Sequence, residues 1–184
     1  MPKNDVSKMG VIQPSESGAK ASWHDMREFM DFLESRGELV HVTEEVDPEW
    51  EVNGLTRIGL QEHQPALLFD KIRGADLPMV ANLLGTDKRF LWSLGMDEWG
   101  EFNREWLRRT EKPVMWEVVE EGPCQEETLS GSDIDLNRIC NVKWHQRDAG
   151  AFPGTLSVSI TKDPDSGVLN AGIYRMGTLA SNIT

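Results

Sequence analysis

The sequence predicts a mixed α+β protein in which a small α/β layer is followed by a β-rich second half. Before residue 113, apolar side chains recur every three or four positions in several segments, and short strand-like runs lie between these segments. From Pro113 onward the apolar period changes to two, which is typical of strands with one buried face. A length of 184 residues with 39% hydrophobic residues is sufficient for a folded core.

The α/β part is predicted to cover residues 23–112, after a polar tail over residues 1–22 that is expected to be disordered. Ser22 and Asp25 resemble a helix capping box, and the first helix is expected to stop at Gly37. The tryptophans before residue 113 fall largely on helical stripes, so core packing is favoured over a ligand cage. The predicted order then continues with strand ELVHV, helix DPEWEVNGLTRIGLQ, strands ALLF and PMVANLL, and two helices that contain Trp99 and Trp106.

The β-rich part is predicted over residues 113–184, with strands in VMWEVV, CQEETL, TLSVSIT and VLNAGIYRM. The last two runs are joined by KDPDSG, which supplies the residues of a hairpin loop. Leu156, Val158 and Ile160 alternate with Ser and Thr in the first strand of this hairpin. Such an apolar face needs further strands to bury it, so the isolated chain is expected to self-associate.

Charge and hydropathy exclude two classes of partner. Nineteen Lys and Arg against 31 Asp and Glu give a net charge of −12, which disfavours nucleic acid and anionic lipid surfaces. No apolar run approaches the ~18 residues of a membrane span, and no secretory signal is evident, so we expect a cytoplasmic protein. Cys124 and Cys140 lack the spacing of a metal site or redox motif and are expected to be buried or idle thiols.

Histidines and common enzyme motifs give little guidance. His24, His41 and His63 stand alone in the sequence and are expected at the surface or at helix caps. His145 lies in the polar loop WHQRDAGAFPGT, which leads into the hairpin, and the sequence leaves its role open between function and structure. P-loop, GxSxG and HExxH signatures do not occur.

The run VLNAGIYRMG combines strand-forming residues with a carboxamide at Asn170 and a guanidinium at Arg175. Residues five apart point to opposite faces of a regular strand, so both reach one site only if the strand bends between them. Gly172 lies between them, and a glycine inside a strand often marks a bulge or a close approach of a ligand. Alternatively, Asn170 ends the hairpin turn and Arg175 extends to solvent; both interpretations stay open at this point.

The segment TKDPDSGVLNAGIYRM closely resembles the signature T-x-D-P-x-[ST]-G-x-x-N-x-G-x-Y-R of the UbiD-type decarboxylases, which use prenylated FMN. Similarity to this family extends over about residues 24–176. The resemblance implies an N-terminal α/β domain followed by the first strands of a split β-barrel of the flavin reductase type, incomplete in this chain. The similar upstream segments are MREFMDFLESRGELVHVTEEVDPEWEV, PALLFDKIRGADLPMVANLLGTDKR and GSDIDLNRICNVKWHQRDAGAFPGT.

The resemblance also implies the roles of individual residues. Asn170 matches a ligand to a divalent metal, Mn²⁺ with K⁺ as a further ion, that bridges protein and cofactor phosphate. Arg175 matches the catalytic arginine of a Glu-Arg-Glu proton network, and Ile173, Tyr174 and Arg175 match the segment that lines the flavin. A hard cation favours an amide oxygen, and a guanidinium pairs well with a carboxylate. The implied reaction is reversible removal of CO₂ from an aromatic or α,β-unsaturated carboxylic acid.

The chain also departs from the family pattern. Gly177 stands where the family commonly has glutamine, and the family's other metal ligands and both glutamates lie downstream of the positions matched here. We therefore expect the N-terminal part of the enzyme, inactive alone, which works as a homo-oligomer with a C-terminal half or second subunit. A non-catalytic assembly subunit that keeps the decarboxylase fold is the alternative, and an ordinary flavin reductase is a third interpretation.

Overall fold

A computed structural model of the chain describes residues 23–112, 117–139, 141–155 and 157–184. The predicted tail over residues 1–22, the thiol of Cys140 and the side chain of Leu156 lie outside the described residues. None of the helices among the described residues is long and apolar enough to cross a membrane.

The described residues form four helices and five strands, which confirms the mixed α+β class. After the first helix, the order β, α, β, β, α, α is also confirmed. The helices are α1 (Met26–Ser35), α2 (Glu51–Gln61), α3 (Asp87–Ser93) and α4 (Trp99–Glu111). The strands are β1 (Leu39–Val42), β2 (Ala66–Phe69), β3 (Met79–Ala81), β4 (Val158–Lys162) and β5 (Leu169–Ile173).

Helix α1 shows how side chains define the helix ends. Its N-cap is Asp25, whose carboxylate accepts a hydrogen bond from the Glu28 amide at 2.9 Å. The Glu28 carboxylate in turn accepts at 2.7 Å from the amide of His24, the residue before the cap, in an arrangement that resembles a capping box. Ser22 of the predicted box lies outside the described residues, and Asp25, which was predicted as the partner of the cap, is itself the cap. Gly37 ends the helix as predicted, with a φ of 69°.

The chain divides into two compact units, each assembled from several segments. One unit comprises Met1–Val40, Glu62–Ala66 and Asn82–Thr128. The other comprises His41–Gln61, Leu67–Ala81 and Leu129–Thr184. We call these the first and the second unit.

Aromatic rings of the first unit form clusters in which Phe29 is buried and several tryptophans are not. The Trp23 and Phe32 ring centroids lie 4.8 Å apart, and Phe102 and Trp106 follow each other at 5.7 Å along α4. Trp106 is nevertheless 59% exposed, and Trp99 is also exposed, so core packing is the wrong prediction for these two residues. Rings on one helical stripe contact one another, and this contact does not require a covering layer.

The second unit has a continuous hydrophobic core. Residues 41–42 of β1, residues 67–69 of β2 and all of β3 belong to this unit; the three strands form one sheet in that order, and β2 pairs antiparallel with β3. Val142 comes much later in the sequence than the other core residues, which lie between Val46 and Ala81, but it packs in the same core. This packing connects the loop after Val142 to a rigid scaffold. The core consists of Val46, Val52, Phe69, Ile72, Ala81 and Val142.

Two of the strands predicted after residue 113 are wrong in the described residues. The 3-10 turn Pro123–Gln125 covers the first two residues of the predicted strand CQEETL, the rest of that run has no regular structure, and residues 117–119 of VMWEVV have none either. The remainder of VMWEVV lies outside the described residues. Pro123 lacks a backbone N–H, and its neighbour Gly122 favours a break, so alternation alone is insufficient for a strand here.

The hairpin of β4 and β5 is confirmed. Its strands pair antiparallel from Val158 opposite Ile173 to Lys162 opposite Leu169. In the loop, the Asp163 carboxylate accepts from the amides of Asp165 and Ser166, both at 2.8 Å. The sequence KDPDSG therefore forms the tight connection that its residues predict.

Candidate functional site

The two faces of the hairpin differ in chemistry. Residues directly opposite each other share a face, so Val158, Ile160 and Ile173 lie on one side, and all three are largely exposed. The other side is polar and carries Asn170 opposite Thr161, and Gly172 opposite Ser159. Asn170 and Ile173, both predicted to contact the cofactor, therefore lie on opposite faces.

Strand β5 does not bulge at Gly172. Pairing with β4 continues without interruption through Gly172 to Ile173, so the predicted kink at this glycine is wrong. Instead, the absence of a side chain at Gly172 leaves room for the ring of Tyr174. A β-carbon at Gly172 would lie 2.5 Å from Tyr174 Cε2. Asn170 lies within the paired strand and does not end the turn.

The chain direction changes after β5, and a new set of backbone contacts begins. The Met176 amide donates to the Gly154 carbonyl at 3.3 Å, and the Thr178 amide donates to the Ala151 carbonyl at 3.0 Å. The Phe152 amide donates at 2.9 Å to the carbonyl of Val142, which is fully buried in the core. Arg175 thus stands between the hairpin and a segment that is anchored to the core.

Arg175 contacts a carboxylate and an aromatic ring. Its Nη2 donates to Asp148 Oδ2 at 2.7 Å, and its Cζ lies 3.8 Å from the centroid of the Phe152 ring. The arginine side chain is 43% exposed, whereas that of Asp148 is 15% exposed. A β-carbon at Gly177 would lie 3.0 Å from Phe152 Cε1, so the missing side chain at Gly177 leaves room for this ring.

Asp148 is itself held by a turn. Its amide donates to the His145 carbonyl at 3.0 Å, and its carboxylate accepts from the His145 amide at 3.1 Å. Partial desolvation alone would raise the pKa of Asp148. The Arg175 charge and the His145 amide outweigh this effect and hold the pKa below its ordinary value. The carboxylate is therefore ionised at neutral pH beside a permanent positive charge.

His145 contributes its backbone more than its ring. The ring Nδ1 lies 3.5 Å from Asp148 Oδ2, and the side chain is largely exposed. The other histidines lie at the surface as predicted, with His41 Nδ1 2.9 Å from Asp70 Oδ1. Cys124 is an exposed free thiol, which agrees with an idle rather than a buried residue.

The structure brings Arg175 together with Asp148 and Phe152, two residues to which the sequence assigned no role. The available signal was indirect: a polar loop precedes the hairpin, and a half-buried arginine needs a carboxylate. The Asn170 side chain is exposed and makes no hydrogen bond to the described residues. Within these residues, no group of three His, Cys, Asp or Glu side chains could hold a metal ion.

Comparison with known proteins gives a consistent result. The N-terminal domain of 3-octaprenyl-4-hydroxybenzoate carboxy-lyase (UbiD_N) matches residues 30–104, and the Rift-related domain of the same enzyme (UbiD) matches residues 117–183. The uncharacterized protein sll0936 of Synechocystis is 34% identical over 175 residues, which cover 83% of this chain and 35% of the relative.

Solved structures with similar folds include two decarboxylase-related proteins. The closed form of vanillic acid decarboxylase from Sedimentibacter hydroxybenzoicus has a TM-score of 0.78 and 32% identity over 86% of this chain and 36% of its own. The UbiD-class enzyme HmfF from Pelotomaculum thermopropionicum, in complex with FMN, has a TM-score of 0.73 and 32% identity over 84% and 34%. The chain spans about a third of the length of these relatives. Since the two domain matches together cover most of its residues, the chain belongs to the UbiD family of carboxy-lyases.

Proposed function

We propose that this chain provides the N-terminal part of a prenylated-FMN-dependent enzyme that decarboxylates, or in reverse carboxylates, an aromatic or α,β-unsaturated acid. Family membership supports this reaction class. The relatives include a vanillic acid decarboxylase and HmfF, which has been solved with FMN and, in an evolved dimeric form, with prFMN. In this proposal, residues 23–112 form the α/β domain, and residues 113–184 contribute the first strands of a split β-barrel.

The observation that carries the proposal is the geometry of Arg175. The guanidinium is oriented on one edge by Asp148 at 2.7 Å and stacked on Phe152, and its other N–H donors, which have no partner among the described residues, are left for an anion. With 43% of its side chain exposed, the charge is accessible to a ligand. Its positive charge persists at any physiological pH, so it orients a substrate carboxylate and stabilises the negative charge on it.

The polar face of the hairpin fits a cofactor that carries hydrogen-bonding groups. The Ser159 hydroxyl oxygen is buried and has no hydrogen-bond partner in the described part of the chain, which is costly unless a ligand supplies one. Thr161 and Asn170 lie on the same face. We propose that Asn170 supplies one amide oxygen to Mn²⁺ or K⁺, with the remaining ligands from elsewhere, and that Tyr174 and Ile173 contact the flavin.

In this proposal the cofactor and the protein have separate roles. When bound, the prenylated flavin accepts the electrons that departing CO₂ leaves on the substrate. Arg175 holds the acid, and the Asp148 contact keeps the guanidinium in place during turnover. The partners in this proposal are a small carboxylic acid, a C-terminal portion or second subunit with further metal ligands and glutamates, and other copies of the chain.

The test measures flavin retention and CO₂ release together. The chain is incubated with prenylated FMN and Mn²⁺, with the remaining portion of a UbiD-family enzyme supplied in trans, and with a panel of aromatic and unsaturated acids. We expect retained flavin after gel filtration, and Arg175→Met should lower turnover by about 100-fold. Arg138→Met, which removes a surface arginine paired with Asp76 in the same unit, is the matched control and should leave turnover unchanged. Absence of retained flavin would contradict the proposal.

A non-catalytic assembly subunit is the second candidate, and the apolar face of the hairpin favours it. Ile160 is 67% exposed, and Val158 and Ile173 next to it are also exposed, so this face is suited to contact with further protein. Ile160→Lys should reduce self-association of the isolated chain, measured by sedimentation velocity, while Lys162→Ala at the strand end should not. The variant Arg175→Met distinguishes a catalytic role from an assembly role, because it should lower turnover and leave self-association unchanged.

A further inference from the structure

We propose that Asp148 is a positioning residue for Arg175, and that it sets the direction of the guanidinium while Phe152 sets its plane. This inference rests on the proposed function, because it assigns Arg175 to the site that binds the acid. It concerns an ion pair within the second unit that connects the WHQRDAG loop to the end of the hairpin.

A guanidinium does not lose its proton in proteins, so the protein controls its orientation and not its charge. The Arg175 side chain is long and has several rotatable bonds. The strand that leads to it ends two residues earlier, at Ile173. Its direction must therefore be set by contacts, and the structure provides one to a carboxylate and one to a ring.

The carboxylate is better fixed than the arginine. Asp148 is only 15% exposed, and the turn from His145 to Asp148 is closed by a backbone hydrogen bond of 3.0 Å. The His145 amide donates to Oδ2, the same oxygen that accepts from Arg175. A charged acceptor that is already oriented by a backbone donor loses little entropy when it binds the guanidinium.

The ring is fixed by the scaffold. The Phe152 amide is bonded to the carbonyl of Val142, a fully buried core residue, and the backbone at Gly177 packs against the ring edge. One face of the guanidinium therefore meets a ring whose position depends on the core. Contact with Asp148 along one edge and with Phe152 on one face leaves the remaining donors in a fixed direction.

A second aspartate–arginine pair in the same unit shows what an ordinary surface pair looks like. Asp76 and Arg138 also form an ion pair, but both side chains are more than half exposed. No aromatic ring stacks on Arg138 among the described residues. Asp76→Asn is thus a matched control that removes the same charge from the same unit.

The experiment compares Asp148→Asn, Asp148→Glu and Asp76→Asn in the full chain by side-chain NMR of ¹⁵N-labelled arginine. A guanidinium held at one edge rotates slowly about its Nε–Cζ bond and gives separate Nη signals. The Arg175 signals are assigned by their loss in Arg175→Lys. In Asp148→Asn, we expect these signals to merge through faster rotation, with partial recovery in Asp148→Glu and no change in Asp76→Asn. Unchanged Arg175 signals in Asp148→Asn, in a variant shown to be folded by its melting curve, would overturn the inference.

The same variants are then measured for turnover in the reconstituted enzyme. Misplacement of a catalytic group by about 1 Å costs up to ~100-fold in rate, so Asp148→Asn should lower kcat in this range with a smaller effect on flavin affinity. Equal turnover in Asp148→Asn and wild type would overturn the positioning role. If the wild type binds no flavin and turns over no acid, the proposed function fails, and the NMR comparison still decides whether Asp148 orients Arg175.

Discussion

Arg89 and Arg175 each meet a carboxylate, but the two regions around them differ. In the first unit, Arg89 is 1% exposed, its Nη1 lies 2.8 Å from Glu38 Oε2, and its Nη2 donates to the Asn82 carbonyl at 3.2 Å. In the second unit, Arg175 has a similar contact to Asp148 but remains 43% exposed. The buried arginine uses its donors to connect chain segments, whereas the exposed one retains donors for a ligand.

This difference separates a structural ion pair from a functional one. A buried charge is tolerated only when it is paired and hydrogen-bonded, as Arg89 is through its two Nη atoms, so its removal leaves uncompensated groups behind. A half-exposed charge contributes little to folding because solvent screens it. The exposure of the guanidinium, rather than the ion pair itself, therefore indicates which arginine is available for chemistry.

The largest change in the free energy of unfolding is expected for the buried arginine, Arg89. Arg89→Met leaves Glu38 and the Asn82 carbonyl without this donor and should lower the free energy of unfolding by about 3 kcal/mol. Urea denaturation of the full chain measures this loss. Arg104→Met, an exposed arginine on α4, is the control and should stay within about 0.5 kcal/mol of wild type. Equal losses of unfolding free energy in the two variants would show that Arg89 stabilises the fold no more than an exposed arginine does.

A smaller effect on stability is expected for Glu105, whose carboxylate contacts two arginines on α4. Side-chain hydrogen bonds from Arg108 and Arg109 outweigh the desolvation of Glu105 and lower its pKa from 4.5 to about 2. Because the folded-state pKa is depressed, this contribution to stability is complete above about pH 4.5 and is lost as the pH falls towards 2.

The control for this window is Glu105→Gln, which lacks the titrating group. The difference in unfolding free energy between wild type and Glu105→Gln should shrink as the pH falls from 4.5 to 2, as measured by urea denaturation at several pH values. A difference that stays constant across this range would show that Glu105 is not stabilised by its arginines.

The smallest effect on stability is expected for the exposed arginine. Arg175→Met should change the free energy of unfolding by less than about 1 kcal/mol, because a half-exposed ion pair contributes little. Urea denaturation of Arg175→Met next to Arg89→Met gives the comparison in one assay. A loss as large as that of Arg89→Met would place Arg175 among the structural residues.

Local sequence signals predicted the elements that depend on local interactions. The loop KDPDSG folds back on Asp163, and Gly37 ends α1, since both depend on neighbours within a few residues. The alternation in TLSVSIT predicted strand β4. The apolar face of this strand was expected to lack a covering layer, and Val158 and Ile160 are exposed.

Contacts between distant segments could not be predicted in this way. Asp148 lies 27 positions before Arg175, and nothing in the local pattern of either residue specifies the other. The resemblance to the decarboxylase signature singled out Arg175 but left its partner in the structure unassigned. Similarly, CQEETL alternates like a strand, but its first two residues lie in a 3-10 turn that begins at Pro123, the residue directly before the run.

The most direct test follows the Arg175 side-chain signal in ¹⁵N NMR while FMN and then an aromatic acid such as vanillate are added to the full chain with Mn²⁺ and the remaining portion of a UbiD-family enzyme supplied in trans. If Arg175 is the anion-binding group of the site, its Nε–Hε resonance will shift in a saturable manner, and that of Arg138 will not. FMN or acid binding that leaves the Arg175 resonance unmoved, or a shift of equal size at Arg138, would contradict the account.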